Sequence, residues 1–359
     1  GTRAGNYNLV WTAPTATITK APLTITANDD AKFYSQNDTA GYAGVRYSGF
    51  VGGQTSTALG GTLSVTRDRT GLSGTADQDS AATYSGVLVP AGLTSSNYQI
   101  SFVNGNYTIV PAGELLVKVQ NISTTYGQAP TYTVTSAGYM TETTDILGVV
   151  TRNVTNLLTP TNLVTVTTAA ATSSPSTCTA STCAAVSVSN GASSVAEFTV
   201  GPVGASIYST SGNLKVGSYV LGTTAVTNSS PDFSDNIHIV GSYDVAAKSV
   251  TLTATGLTKV YDGNANMTNL LLAATPATLV NAADVVNITG VGTYVDKNVT
   301  ASANKPYTLN NLALSGADAA NYVLTTTGSN NTTQSGSNGH ITPRSLTIDF
   351  TGVDRVYDG

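Results

Sequence analysis

A tyrosine turn that returns four times along the chain constrains its fold more than any other feature. Lys32-Phe33-Tyr34-Ser35, Thr125-Tyr126-Gly127, Lys259-Val260-Tyr261-Asp262-Gly263 and Arg355-Val356-Tyr357-Asp358-Gly359 each follow an alternating apolar segment at similar distance. Aligning Leu23, Leu115, Val250 and Leu346 in those segments gives spacings of 92, 135 and 96 residues. Each segment is preceded by an Asn-Tyr-type start, at Asn6-Tyr7, Asn97-Tyr98, Asn236-Ile237 and Asn321-Tyr322. Self-similarity of this kind marks a repeat array whose units are small supersecondary assemblies. The tyrosine reads as a strand end packed on the core, and the Gly or Asp-Gly after it as residues that tolerate the positive φ of a tight turn.

The residues available decide what each unit is made of. Thr occurs 60 times and Ser 35 times in 359 residues, whereas Glu occurs only at Glu114, Glu142 and Glu197. Charged residues make up 10%, against about 25% in typical soluble domains. Such a chain lacks the side chains that cover helices, while Thr, Val and Tyr suit a pleated, half-buried surface; the fold expected is mainly β. The net charge is -5 with no cluster of Lys or Arg, which excludes nucleic acid as a partner. The longest apolar run, around Leu270 to Ala274, falls far short of the roughly 20 residues that cross a bilayer.

Within a unit the pattern gives five or six short strands and at most one short helix. In the first, Leu23 to Ala27, Val45 to Tyr47 and Thr62 to Thr66 read as strands. Tyr98 to Phe102 and Tyr107 to Ile109 read as a hairpin closed by Asn104-Gly105, a strong short hairpin signal. Single helical turns are expected at Gln54 to Leu59 and Thr143 to Leu147. The second unit exceeds its neighbours by about 40 residues, placed in the Thr-, Ser- and Ala-rich stretch 151–200, as an extra hairpin or a mobile loop. The resulting division is the end of a preceding repeat at 1–21 and complete repeats at 22–112, 113–247 and 248–343, followed by the start of a further repeat at 344–359. The chain is thus expected to be a window on a longer array.

The third repeat resembles the YDG domain of bacterial proteins. Lys259-Val260-Tyr261-Asp262-Gly263, Gly292-Thr293-Tyr294-Val295-Asp296-Lys297-Asn298-Val299 and Leu314-Ser315-Gly316-Ala317-Asp318-Ala319-Ala320-Asn321-Tyr322 carry that resemblance. The first repeat is similar to the MBG domain through Tyr34, Tyr47-Ser48-Gly49-Phe50-Val51, Asn97-Tyr98 and Asn104-Gly105. The second is similar to it through Tyr126-Gly127, Pro130, Thr131-Tyr132 and Gly138-Tyr139. Ser35 and Ile237 depart from the motifs, which have Gly and Tyr there. The resemblance implies tandem β-grasp-like domains in an elongated array, in filamentous-haemagglutinin-like adhesins exported by two-partner secretion. It further implies an extracellular, bacterial cell-surface location, a partner outer-membrane transporter for the full-length protein, and no catalytic residues, cofactor or metal to carry over.

Residues with chemistry of their own are few. His238 and His340, the only histidines, read as ordinary β residues, and no metal-ligand spacing involves them. Asp29-Asp30, Asp77 to Asp79 and Asp232 to Asp235 read as turn carboxylates, with calcium as the alternative. Cys178 and Cys183 are separated by four residues. In an exported chain they read as a small disulfide ring stapling the insertion. A reactive dithiol and half a zinc site are the alternatives, although no Lys, Arg or His lies nearby to lower a thiol pKa. Asn-x-Ser/Thr sequons, which would make this a glycoprotein, stand at Asn37, Asn106, Asn121, Asn153, Asn228, Asn266, Asn287, Asn298, Asn330 and Asn331.

The function expected is the stalk of a surface adhesin, mediating or projecting attachment to a glycan or protein of a host or neighbouring cell. A structural fibre or sheath built by self-association, with no receptor, is the alternative. No constellation supports an enzyme.

Overall fold

The computed structural model describes residues 17–51, 54–158, 163–168, 182–204, 207–326, 332–352 and 354–358. Among the described residues it is mainly β, with no helix of seven or more residues, and it divides into two compact units, Gly1–Ile109 and Val110–Gly359.

The first unit holds β1 (Ala21–Ala27), β2 (Asp30–Phe33), β3 (Val45–Ser48), β4 (Gly60–Arg67), β5 (Ala82–Thr94), β6 (Tyr98–Val103) and β7 (Gly105–Val110). They form a three-stranded sheet in the order β3-β1-β6 and a four-stranded sheet in the order β2-β7-β5-β4. Period-two alternation explains β1: Leu23, Ile25 and Ala27 are buried while Pro22, Thr24 and Thr26 are not, as a strand with one face on a core requires. β1 lies between antiparallel β3 and parallel β6.

The parallel pairing overturns the expected hairpin. β6 and β7 flank Asn104 in sequence but belong to different sheets, so Asn104-Gly105 is a corner at which the chain changes sheet. Two local contacts hold the corner. Asn104 Nδ2 donates to Gly86 O at 2.9 Å, and a Cβ at Gly105 would meet Ala27 O at 2.6 Å, so only glycine lets the chain cross β1 that closely. Gly105→Ala is expected to destabilise the first unit by about 1–3 kcal/mol, read from the urea midpoint; an unchanged midpoint would refute the tight corner.

The second unit spans the two repeats expected at 113–247 and 248–343. The earlier one holds β8 (Leu115–Val119), β9 (Ile122–Thr125), β10 (Val134–Thr144), β11 (Val150–Asn156), β12 (Leu163–Thr168), β13 (Ala184–Ser189), β14 (Val195–Pro202), β15 (Gly217–Asn228), β16 (Ile237–Val240) and β17 (Ser242–Ala246). Their sheets are ordered β11-β10-β8-β16 and β12-β13-β14-β15-β17-β9. The stretch 151–200 therefore supplies strands, with β12 and β13 antiparallel over six residue pairs. The helical turn expected at Thr143 to Leu147 is absent: β10 runs to Thr144, and Asp145 Oδ1 then accepts Leu147 N and Val149 N, both at 2.8 Å. A carboxylate capping its own turn in this way competes with helix formation.

The later repeat holds β18 (Lys248–Val250), β19 (Leu252–Thr255), β20 (Thr258–Val260), β21 (Leu271–Ala274), β22 (Asn287–Tyr294), β23 (Lys305–Ser315), β24 (Tyr322–Leu324) and β25 (Gln334–Thr342). β18 pairs with β24, and the rest form a sheet in the order β19-β21-β22-β23-β25-β20. The first-strand rule of the first unit recurs in both repeats. β8 pairs parallel with β16 and β18 with β24, while β9 pairs parallel with β17 and β20 with β25. The described helical pieces are single 3-10 turns at Ser56–Ala58, Ala76–Gln78, Pro276–Thr278 and Ala319–Asn321, the first of them within the expected Gln54 to Leu59. One apolar cluster runs through the whole second unit, from Leu115 and Val117 by way of Tyr126 to Tyr322 and Ile341.

Candidate functional site

An extensive polar constellation in the second unit lies where its two expected repeats meet, and two of the recurring tyrosines enter it. Tyr126, at the end of β9, is 1% exposed. Its hydroxyl donates to Ser209 Oγ at 2.8 Å and stands 3.2 and 3.3 Å from the Asp284 carboxylate oxygens. Tyr322, at the start of β24, donates its hydroxyl to the same carboxylate and accepts Val280 N at 2.9 Å. The two rings meet edge to face, 5.3 Å between centroids and 74° between planes, the arrangement that aromatic quadrupoles favour. Gly127 adopts φ +84, and a Cβ there would collide with the Val280 side chain. The glycine after the tyrosine is thus needed both for its backbone conformation and for close approach of the next repeat.

A second set of bonds flanks this pair. Asp318 accepts Thr210 Oγ1 at 2.6 Å, Thr210 N at 3.3 Å and Val285 N at 2.9 Å, and Asn321 Oδ1 accepts Val216 N at 3.1 Å. Asp318 and Asn321 are 1% and 3% exposed, so the loop Gly316-Ala317-Asp318-Ala319-Ala320-Asn321-Tyr322 of the later repeat is wedged into the loop 207–216 of the earlier one. Burial disfavours the Asp318 anion, but the Thr210 and Val285 hydrogen bonds and the Lys215 charge outweigh it and hold the carboxyl below its ordinary value.

The first unit has a buried charge network. Lys32 Nζ lies 2.7 Å from Asp38 Oδ1 and donates to Ala76 O at 2.6 Å. Arg67 pairs with Asp38 at 2.8 Å and also with Asp79, which Arg69 grips at 2.7 and 2.9 Å. The Arg67 and Asp79 side chains are each 1% exposed, and the guanidinium sits 4.8 Å from the Tyr107 ring centroid. Burial opposes ionisation of Asp38 but Lys32 and Arg67 prevail, and Arg69 and Arg67 likewise hold the Asp79 carboxyl low. Burial and the neighbouring Asp38 push Tyr42 up to about 12. Asp79 therefore neutralises arginines. Asp29, another of the turn carboxylates, accepts Asn106 N at 2.7 Å.

Acid sensitivity follows from these three carboxyls. Each has a folded-state pKa below the unfolded value of about 3.9. Their stabilisation is complete above that value and is lost as pH falls through the lower folded-state values. Urea midpoints are expected to be unaffected by Asp38, Asp79 and Asp318 between about pH 7 and 5 and to drop below about pH 4; equal midpoints at acid and neutral pH would contradict the pairing.

Other sequence-selected residues fall apart in space. His238 Nε2 lies 2.6 Å from Glu114 Oε2, and His340 Nε2 is 3.2 Å from Thr300 O. Cys183 is disulfide-bonded and 3% exposed, whereas Cys178 lies outside the described residues. The ring expected between them predicts no free thiol in intact-mass analysis without reductant; two free thiols would end it. Of the sequon asparagines, Asn37, Asn121, Asn153, Asn266, Asn287 and Asn298 are exposed. Asn106 and Asn228 are half-buried with their side chains hydrogen-bonded to Gly86 and Asp29, and to Phe233 and Ser230. Asn330 and Asn331 lie outside the described residues.

Sequence reasoning missed Asp284, Ser209 and Thr210, which stand in no motif; only the junction reveals them. Among curated proteins no match to the chain is found. Residues 23–108 match the MBG domain family of the YGX type, and residues 246–330 match the YDG domain family. The chain thus carries an MBG domain followed by a YDG domain.

Proposed function

We propose that this chain is the repeat region of a large secreted bacterial surface adhesin, a stalk that projects or itself mediates attachment to a glycan or protein of another cell. The observation that carries this reading is the junction at Tyr126, Asp284 and Tyr322, where two recurring tyrosines meet on one carboxylate between successive expected repeats. Motifs spent on neighbour contacts are what a repeat array requires, because each unit is stabilised chiefly by the next. Export through a partner outer-membrane transporter, glycosylation at the exposed sequons and the Cys178–Cys183 ring belong to the same extracellular reading.

The alternative is a structural fibre without a receptor. It draws on the edge strand β11 and the apolar tip of its hairpin, where Ile146 and Leu147 are fully or largely exposed; such edges pair with further chains unless they are blocked. One experiment separates the two. The purified chain is applied to a glycan array, mucin and epithelial cells, and imaged by negative-stain electron microscopy at the same concentrations. Saturable binding by single particles supports the adhesin; regular filaments with no binding replace it with the fibre.

A further inference from the structure

Lys259 is a buried cation whose surroundings are richer than an ordinary salt bridge. It stands on β20, which pairs parallel with β25, and its side chain is 2% exposed. Its ammonium meets four oxygens: Asp262 Oδ1 at 2.7 Å, Asn264 O at 2.9 Å, Asn264 Oδ1 at 3.0 Å and Asn266 O at 2.8 Å. A lysine ammonium has three N–H donors. Four oxygens converging on three donors form a shell around a positive charge, not a set of one-to-one hydrogen bonds.

The loop builds this shell from its own sequence. Asp262, Asn264 and Asn266 alternate with Gly263 and Ala265, the spacing at which calcium loops present their first oxygen ligands. The same side chains fold the backbone: Asp262 Oδ1 accepts Asn264 N at 3.1 Å, and Asn264 Oδ1 accepts Asn266 N at 2.9 Å. The hydrogen bonds from Lys259 and Asn264 hold the Asp262 carboxyl below its ordinary value. Asp262, Gly263, Asn264 and Asn266 are exposed, while Lys259 is buried beneath them, so the oxygens lie within reach of a dissolved ion. The other tyrosine turns are held differently. The position two residues before the tyrosine is Lys32 in the first expected repeat and Thr124 in the second. Lys32 Nζ bonds Asp38 Oδ1 and the distant Ala76 O, and Thr124 Oγ1 donates to the Tyr243 hydroxyl.

We propose that residues 262–266 form a cation-binding loop whose resident cation is the Lys259 ammonium, and that the same oxygens bind calcium once the ammonium is removed. The tethered cation keeps the loop closed whatever ions the solvent holds, so the tyrosine turn of the YDG domain is indifferent to calcium and to chelators. Calcium suits the vacated shell because it takes carboxylate, amide and backbone oxygens in flexible geometry and completes its coordination with water. Magnesium suits it less, since it demands near-octahedral ligands at about 2.0–2.1 Å. Asp262 is the one carboxylate in the shell, which places the expected calcium Kd at about 1 mM, the weak end of the range for oxygen-ligand loops.

Terbium, a luminescent ion of calcium's size, tests this on the whole chain carrying Lys259→Ala. The Lys259 Nζ lies 5.9 Å from the centroid of the Tyr294 ring, so a terbium ion in its place is close enough for tyrosine to sensitise the emission. Tyrosine-excited emission is expected to rise in Lys259→Ala above that of the parent chain and to be displaced by calcium more readily than by magnesium. It is expected to fall back to the parent level when Asp262→Ala is added. Equal emission from the parent and Lys259→Ala overturns the proposal, and so does emission that survives the loss of Asp262. Refolding from urea, followed by hydrogen exchange over residues 248–343, gives a second reading that does not require the variant to be stable without calcium. Calcium at about 10 mM is expected to raise protection in Lys259→Ala about tenfold, the factor 1 + [Ca]/Kd, and to leave the parent unchanged. Equal protection of the variant with and without calcium overturns the proposal.

Discussion

Asp79→Ala is expected to destabilise the first unit by about 3–5 kcal/mol, the cost of leaving a buried charge without its partner. Arg67 is enclosed, its Nη1 is already buried without a hydrogen-bond partner, and Asp79 takes up Nη2. Removing the carboxylate strands half of the guanidinium in a place that water does not reach, and it leaves Arg69 only its bonds to Gly74 O. The network is not thereby a large net source of stability, since two charges had to be desolvated to build it. The combined change Asp79→Leu with Arg67→Met is therefore expected to cost less than Asp79→Ala alone. Urea unfolding of the chain, with hydrogen exchange assigning the early transition to residues 17–109, reads both variants. A single variant within about 1 kcal/mol of the parent would show that Arg67 is not held by charge.

Tyr126→Ala carries the second large expectation. It deletes a 1%-exposed ring that touches Tyr322 and a hydroxyl that serves Ser209 and Asp284. Truncating a buried aromatic costs about 3–5 kcal/mol. Here the loss falls on the contact between two repeats, so the unfolding of residues 110–359 is expected to change from one cooperative transition into two. Tyr126→Phe keeps the ring and loses the donor. It is expected to cost about 1–2 kcal/mol and to leave the single transition intact. Differential scanning calorimetry with hydrogen exchange distinguishes the cases; one undivided transition in Tyr126→Ala would mean that the core, not the junction, couples the repeats.

Much of the strand content was legible because alternation survives translation into structure residue by residue. Leu23 to Ala27 and Thr62 to Thr66 read as strands and are β1 and part of β4. β5 was missed for a definable reason. Its thirteen residues include Gly86, Pro90 and Gly92, which normally interrupt strands, but the glycines take positive φ and the register shifts between Tyr84 and Leu88, as a bulged strand permits. The expected turn at Thr143 to Leu147 failed because one carboxylate, Asp145, organised the backbone there as a tight hairpin tip.

The junction was half legible. Tyr126-Gly127 and Asn321-Tyr322 could be found as recurring motifs, because a tight turn and a strand start leave local signatures. Their partners could not. Asp284 lies 158 residues from Tyr126 and 38 from Tyr322, and nothing in its own neighbourhood records that two tyrosines converge on it.

The sequence by itself determined the β class and the places where the tyrosine turns stand, since both rest on side-chain period and on the φ that a few residues allow. Only the tertiary structure decided that Asn104-Gly105 changes sheet instead of closing a hairpin, and that Tyr126 and Tyr322 meet on Asp284. Those outcomes depend on which distant strand or carboxylate is left without a partner once every local segment has formed. That is a property of the assembled chain and of no single stretch of it.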